Sequence, residues 1–208
     1  MFSKRALTTA LRDYPAADSP WAGGDPDVAL ARVLAMKEAR LAHLSRLLAH
    51  ADVDLAAGLS DASPRPLCEA LDAWVARDWR ALADGLPRGF QEPRQGAWHD
   101  KERLAFSVAL DTGLALGELL RRHRPGFAWG VDRFDDHVVD DEAGANDVVV
   151  LDPALPADAR DPLVFDALGT SYARLLDIAY RLGSSWTFCD AIARQLHDGP
   201  GWPDIAAL

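Results

Sequence analysis

The chain has 208 residues, with 22 Lys and Arg against 32 Asp and Glu, so its net charge at pH 7 is −10. This balance argues against nucleic-acid binding and against attachment to anionic membranes, because both depend on an excess of basic side chains. Hydrophobic residues make up 49% of the chain and charged residues 26%, which is typical of a globular protein and excludes disorder over most of its length.

The N-terminal residues predict an irregular arm over residues 1–25, since Pro, Gly, Ser and Asp are frequent there and Trp21 could anchor it to the core. No uninterrupted apolar stretch of the kind found in signal peptides occurs in this region, so we expect a cytoplasmic protein. The two cysteines, Cys68 and Cys189, have no metal-ligand spacing and are expected to be free thiols.

The first helix is predicted to begin at Asp25-Pro26, because Asp caps a helix and Pro at its first position loses no hydrogen bond. Apolar residues at helical spacing continue to about Ala51. A turn is expected at 58–66, followed by a second helix that carries Leu67 and ends near Gly85.

The third predicted helix runs from about Asp100 to His123 and is apolar nearly all round, which is typical of a helix surrounded by the rest of the fold. Gly113 and Gly117 lie on one face of it, where the lack of side chains would let a neighbouring backbone approach closely.

The pattern then changes to the alternation of a strand at Phe127, Trp129 and Val131, and the run 148–151 predicts a second strand. Helices are expected to resume at Asp161-Pro162 and to end at Gly183, with a last helix over about 185–197.

These elements predict an α+β fold that is predominantly helical, in a single domain over 1–208. About five main helices would surround the central apolar helix, and a small antiparallel β-hairpin would be inserted after the third helix. The parts are an arm (1–25), a helical part (26–123), an acidic hairpin region (126–152) and a helical pair (161–199).

A polar stripe crosses the third helix, where successive residues turn by about 100° and three polar side chains therefore share one side. The stripe and the arginines that follow it are Ser107, Asp111, Glu118, Arg121 and Arg122. In a structural role, Glu118 would pair with one of the two arginines, and Asp111 would accept from backbone amides or a neighbouring hydroxyl. Alternatively, the two carboxylates could act as general acid and base or as metal ligands.

Residues 132–152 hold eight Asp or Glu and a single Arg, a net charge of −7 out of the −10 of the chain. Their spacing is not that of an EF-hand loop. This segment is either a solvated loop or an acidic surface that attracts a basic partner. The predicted partner-binding residues are Asp132, Asp135, Asp136, Asp140, Asp141 and Glu142.

The region 104–180 resembles a broad group of small bacterial proteins. The residues that carry the resemblance are Leu116-Gly117-Glu118, Arg121-Arg122, Pro125-Gly126-Phe127-Ala128-Trp129, a Val-rich strand and Asp161-Pro162. Some of these proteins are immunity or accessory proteins of secreted toxins. The resemblance implies a cytoplasmic inhibitor in which Glu118 and Trp129 are structural, and it supplies no catalytic residues.

The sequence therefore predicts a non-enzymatic binding protein, most concretely an immunity protein whose acidic surface blocks a basic toxin domain. No catalytic residue, metal site or cofactor is predicted. The first alternative is a metal-dependent hydrolase that uses Asp111 and Glu118. The second is a scaffold whose exposed tryptophans form a homodimer.

Overall fold

The computed structural model describes residues 9–83, 86, 100–133, 148–154, 164–183 and 185–196. The prediction of a predominantly helical α+β fold is confirmed, since the described residues form helices and a small three-stranded antiparallel sheet. None of the helices in these ranges has the length and apolar character that a membrane span requires.

The first helix, α1, spans Pro26–Ala49 and begins as its capping signal predicts. The Asp25 carboxylate accepts from the amides of Asp27 (2.9 Å) and Val28 (3.2 Å). These bonds satisfy donors that have no partner inside the helix, so a local sequence signal is sufficient to set this boundary.

A short helix, α2 (Leu55–Ser60), lies where the sequence predicts the beginning of a turn. Asp54 caps it by accepting from the Ala57 amide at 3.0 Å, and Gly58 lies directly against the side chain of Leu67. The prediction of a turn was therefore wrong for residues 58–60. This single helical turn is stabilised by packing on the next helix, α3 (Arg65–Ala83), and has too few residues to show a period.

The helix α4 spans Asp100–His123, as predicted, and contacts α1, α2 and α3 as well as the elements that follow it. Gly113 lies against the backbone of Ala167 and Leu168, which is the close backbone approach that the sequence predicts. At Gly117 the prediction of a neighbouring backbone was wrong, because the group that lies against this glycine is a side chain, the indole ring of Trp129.

Strands β1 (Ala128–Val131) and β2 (Val148–Leu151) form the predicted antiparallel hairpin, with Val131 paired to Val148 at one end. A third strand, β3 (Val164–Phe165), pairs with the other edge of β2 and was not predicted. The helix predicted to begin at Asp161-Pro162 is wrong at residues 164–165, which form this strand. Asp161 and Pro162 themselves lie outside the described residues.

The last two helices are α5 (Ala167–Tyr180) and α6 (Phe188–Leu196). Asp166 caps α5 by accepting from the Gly169 amide at 2.6 Å, so the true start signal lies five residues after the predicted one. Both helices pack on α3 and α4, which places α4 at the centre of the core, as its apolar surface predicts.

Residues 13–25 have no regular secondary structure, but they are packed against the helices, and residues 9–12 are helical. Tyr14, Ala17 and Trp21 are buried, and the Trp21 ring meets the edge of Tyr172 with ring centroids 5.8 Å apart. These residues therefore belong to the core rather than to a loose arm.

The described tryptophans give no support to a homodimer formed by exposed indoles. Four of them are buried and Trp186 is partly buried; the buried ones are Trp21, Trp74, Trp79 and Trp129. Trp98 and Trp202 lie outside the described residues.

Candidate functional site

Residues 132–147, which we call the acidic segment, connect the end of β1 to the beginning of β2. Because Val131 and Val148 are paired, the two ends of residues 132–147 are held side by side at the same end of the hairpin. Of the predicted partner-binding residues, only Asp132 lies within the described residues. The others lie outside them: Asp135, Asp136, Asp140, Asp141 and Glu142.

Asp132 is buried, with only 8% of its surface exposed, so it offers little of its carboxylate to a partner. The next residue, Arg133, donates to both carboxylate oxygens of Asp27 in the first turn of α1, at 2.6 and 2.7 Å. This ion pair raises the pKa of Arg133. Arg133 is the only Arg or Lys of the acidic segment, and it is engaged with the body of the protein.

The Asp111 carboxylate lies at the centre of a buried cluster. Arg40 of α1 donates to it from Nε and Nη2, each at 2.7 Å, and the Tyr14 hydroxyl donates to the same carboxylate. A third Arg40 nitrogen donates to the Pro15 carbonyl at 2.6 Å, and its guanidinium lies 5.4 Å from the centre of the Tyr14 ring. We call Tyr14, Arg40 and Asp111 the buried triad.

Burial sets the protonation of the buried triad. It raises the pKa of Asp111 from 3.8 to about 6, although the bonds from Arg40 and Tyr14 act in the opposite direction. Burial, together with the charge and hydrogen bond of Asp111, raises the pKa of the Tyr14 phenol. At neutral pH, Asp111 is thus an ionised acceptor and Tyr14 a protonated donor.

Two further residues of the polar stripe also bind backbone groups. The Ser107 hydroxyl accepts from the Ala17 amide at 2.7 Å and donates to the Arg103 carbonyl. Arg122 donates to the Leu59 carbonyl at 3.2 Å. With the buried triad, the stripe fastens residues 14–17 and α2 to the central helix.

Glu118 is the centre of a second cluster, which joins α1, α4 and β1. Its Oε1 accepts from Lys37 at 2.7 Å, from Arg121 at 2.9 Å and from the indole nitrogen of Trp129 at 2.7 Å. Arg121 also donates to the Phe127 carbonyl at 3.3 Å. The pairing of Glu118 with Arg121 follows the sequence prediction, whereas Lys37 is a partner that the sequence did not indicate.

The two carboxylates that the hydrolase alternative requires are not brought together. Seven residues of helix separate Asp111 and Glu118, about 10 Å along the axis, and each has its own cationic partners. Among the described residues, no group of three or more His, Cys, Asp and Glu side chains is arranged to hold a metal ion.

Replacing Glu118 with glutamine is expected to lower the free energy of unfolding by about 1–3 kcal/mol. Glutamine keeps an oxygen for Trp129 but removes the buried carboxylate that faces the ammonium group of Lys37, which is 12% exposed, and leaves this group only the exposed Glu38. The matched control is Glu38→Gln, because Glu38 faces the same Lys37 at 3.5 Å but is 85% exposed; its cost should stay below about 0.5 kcal/mol. Urea denaturation measures both values, and equal effects would contradict the assigned role of Glu118.

The loss of unfolding free energy in Glu118→Gln is expected to depend on pH. Burial alone would raise the pKa of Glu118, but the hydrogen bonds from Lys37, Trp129 and Arg121 outweigh it and lower the pKa below 4.5. A carboxylate with a lowered pKa stabilises the fold above its ordinary pKa, and this contribution is lost as the pH falls through the folded-state value. The difference between wild type and Glu118→Gln should therefore shrink as the pH falls below about 4.5.

A cleft of about 440 Å³ opens between α5 and α6, where the sequence indicated no site. Trp186 forms one wall, and Thr170 and Arg194 stand at its sides. Its two carboxylates already have partners, since Asp166 caps α5 and Asp190 accepts from the Thr187 amide at 2.7 Å.

The important residues that the sequence did not single out are Tyr14, Arg40 and Lys37. Tyr14 lay in a segment predicted to be irregular, and Arg40 and Lys37 looked like ordinary charges interspersed along α1. One signal was present, since a carboxylate inside an otherwise apolar helix such as α4 requires a buried partner. It could not say which residue that partner would be.

No family model, no curated protein and no solved structure matches this chain. The resemblance to toxin immunity proteins therefore stays a prediction, and the function must be argued from the site itself.

Proposed function

We propose that this chain is a non-enzymatic binding protein that presents its acidic segment, residues 132–147, to a basic surface of another protein. More specifically, we propose that it is a cytoplasmic immunity protein that neutralises a bacterial toxin by covering a cationic cleft. Such clefts normally accept nucleic acid or a nucleotide, and a dense acidic surface can occupy them.

The observation that carries this proposal is the way the base of the segment is held. The pairing of Val131 with Val148 fixes both of its ends, and Asp27 engages its only arginine, Arg133. The other charged side chains of the segment, His137 aside, are all acidic. A concentrated charge on a fixed base accelerates encounter with an oppositely charged partner and orients it.

The buried carboxylates support a binding role rather than the hydrolase alternative. Asp111 and Glu118 accept hydrogen bonds from Arg40, Tyr14, Lys37, Arg121 and Trp129, which are groups of the protein itself. Each carboxylate thus has a sufficient structural reason to be present, and no observation in the described residues favours hydrolysis.

Replacing Asp135, Asp136 and Asp140 with lysine is expected to weaken binding to the toxin by about 100-fold or more, chiefly through slower association. The partner is the toxin domain encoded by a neighbouring reading frame, and calorimetry with stopped-flow fluorescence measures affinity and rate. Raising the salt concentration should weaken the wild type more than the variant, because the ions screen the charges that the variant lacks.

The matched control carries the same change of charge on the exposed acidic residues Asp13, Glu38 and Glu69. It should weaken binding by less than about 5-fold, because these charges lie outside the proposed interface and salt screens their attraction to the partner. Equal losses in the two triple variants would show that the acidic segment is not the interface. Neighbouring reading frames that encode no toxin, or a toxin that does not bind, would contradict the immunity function.

A further inference from the structure

The two cysteines of the chain, far apart in sequence, meet at the interface between α3 and α6. Cys68 is fully buried on α3, and Cys189 is partly exposed at the second position of α6. The Cys189 amide lies 3.1 Å from the carboxylate of Asp72, which is one turn after Cys68 on α3, and the Cys189 side chain raises the pKa of Cys68. Two thiols placed side by side across an interface are the starting arrangement for a disulfide bond.

Asp72 holds the two helices in this arrangement. It lies one turn after Cys68 on α3, and its carboxylate accepts from the amides of Phe188 (2.8 Å) and Cys189 (3.1 Å). These are the first amides of α6, so Asp72 caps that helix from another element. The backbone of Cys189 is therefore held beside the turn of α3 that carries Cys68.

The two thiols differ in the way that a reactive cysteine and its resolving partner differ. The hydrogen bond to Cys189, followed by burial, raises the pKa of Cys68, which keeps it a protonated thiol. Cys189 is partly exposed, so small molecules can reach its sulfur. Cys189 is thus the sulfur that a small oxidant reaches first.

We propose that Cys68 and Cys189 form a reversible intramolecular disulfide when the protein meets hydrogen peroxide. The Cys189 thiolate attacks one peroxide oxygen and expels hydroxide, which takes up the proton lost by Cys189 and leaves as water. The sulfur of Cys68 then attacks the sulfenic acid of Cys189, and the second oxygen leaves as water together with the Cys68 proton. Two thiols are oxidised by two electrons and one peroxide is reduced to two water molecules.

The disulfide would tie α3 covalently to the start of α6 and close a long loop of the chain. Such a cross-link restricts the unfolded state, so the oxidised protein should melt about 5–10 °C higher than the reduced protein. A dithiol reductant should return it to the starting state, because thiol–disulfide exchange reverses the bond.

The test treats the purified full chain with hydrogen peroxide and follows intact mass, free thiols and melting temperature. We expect a mass loss of two hydrogen atoms, the disappearance of both thiols, a monomer on a non-reducing gel and a tryptic fragment that joins Cys68 to Cys189. In Cys68→Ala, Cys189 should instead gain oxygen atoms, because no resolving thiol is present. In Cys189→Ala, the buried Cys68 should react at least about 10-fold more slowly.

Three results would overturn the proposal. The first is that both thiols of the wild type stay reduced at a peroxide concentration that oxidises Cys189 in the Cys68→Ala variant. The second is oxygen addition at Cys189 in the wild type without a bond to Cys68. The third is a disulfide between two copies of the chain.

Discussion

Replacing Asp111 with alanine is expected to lower the free energy of unfolding by about 3–5 kcal/mol. The substitution leaves the guanidinium of Arg40, whose side chain is only 7% exposed, without a counter-charge. It also removes the acceptor of the Tyr14 hydroxyl. A buried charge without a partner costs several kcal/mol because neither water nor another group solvates it. Chemical denaturation followed by tryptophan fluorescence measures the loss.

A matched control separates burial from simple ion pairing. Asp18 also pairs with an arginine of α4, Arg103, and also connects the N-terminal residues to that helix, but its side chain is 90% exposed. Asp18→Ala should cost less than about 1 kcal/mol. Arg40→Met combined with Asp111→Leu should cost less than Asp111→Ala alone, because no charge is left buried without a partner. A double variant that is less stable than the single variant would contradict this account.

The pH dependence of the Asp111 contribution has the opposite sign to that of Glu118. Burial raises the pKa of Asp111 to about 6, so the folded state binds this proton more tightly than the unfolded state does. The contribution of Asp111 to the unfolding free energy should therefore decrease as the pH rises from about 4 to about 6 and stay constant above that range. The double variant Arg40→Met with Asp111→Leu should lack this decrease in unfolding free energy when it and the wild type are measured over the same pH range.

Replacing Gly113 with alanine is expected to lower the free energy of unfolding by about 2–4 kcal/mol, although alanine favours the helix by about 1 kcal/mol. A methyl group at this position would lie 2.8 Å from the Ala167 carbonyl oxygen and 2.8 Å from the Leu168 Cα. Backbone atoms cannot be relieved by rotation of a side chain, so α4 and α5 would have to separate. Gly117→Ala should be similarly destabilising, because its methyl group would overlap the indole ring of Trp129.

The two glycines differ in what would relieve the overlap. Trp129→Leu removes the ring, so Gly117→Ala should cost much less when Trp129 is already leucine, because only the Val150 side chain, 3.0 Å from the added methyl group, stays close to it. Gly113→Ala should cost the same in both backgrounds, because its neighbours are backbone atoms of α5. Urea denaturation of the single and double variants measures these couplings. If the double variant Gly117→Ala with Trp129→Leu lost as much unfolding free energy as the two single variants together, the indole ring would not be the reason that glycine is required at position 117.

The helix boundaries that the sequence predicts well are those with local causes. Asp25 and Pro26 begin α1, and the mainly apolar stretch from Leu104 to Leu120, with charged residues on either side of it, predicts both the limits and the central position of α4. Caps and periodicity act within a few residues, so they can be recognised without knowledge of the fold. The predictions at 58–60 and 164–165 were wrong because those short elements exist only where another element packs on them or pairs with them.

The candidate site divides in the same way. The concentration of acidic residues in 132–152 and the need of Asp111 and Glu118 for partners can be predicted from residue types alone. The identity of most partners cannot, because Arg40, Tyr14 and Lys37 reach α4 only through the packing of α1 and the N-terminal residues.

By itself, the sequence determined the predominantly helical α+β class, the central helix and the position of the hairpin, because these depend on interactions between residues near one another in the chain. The tertiary structure alone decided that Arg40 neutralises Asp111, that β3 completes the sheet and that Cys189 lies beside the turn of α3 that carries Cys68. Each of these contacts joins residues from different elements. Such contacts depend on how the helices and strands pack in three dimensions, and no local pattern encodes that arrangement.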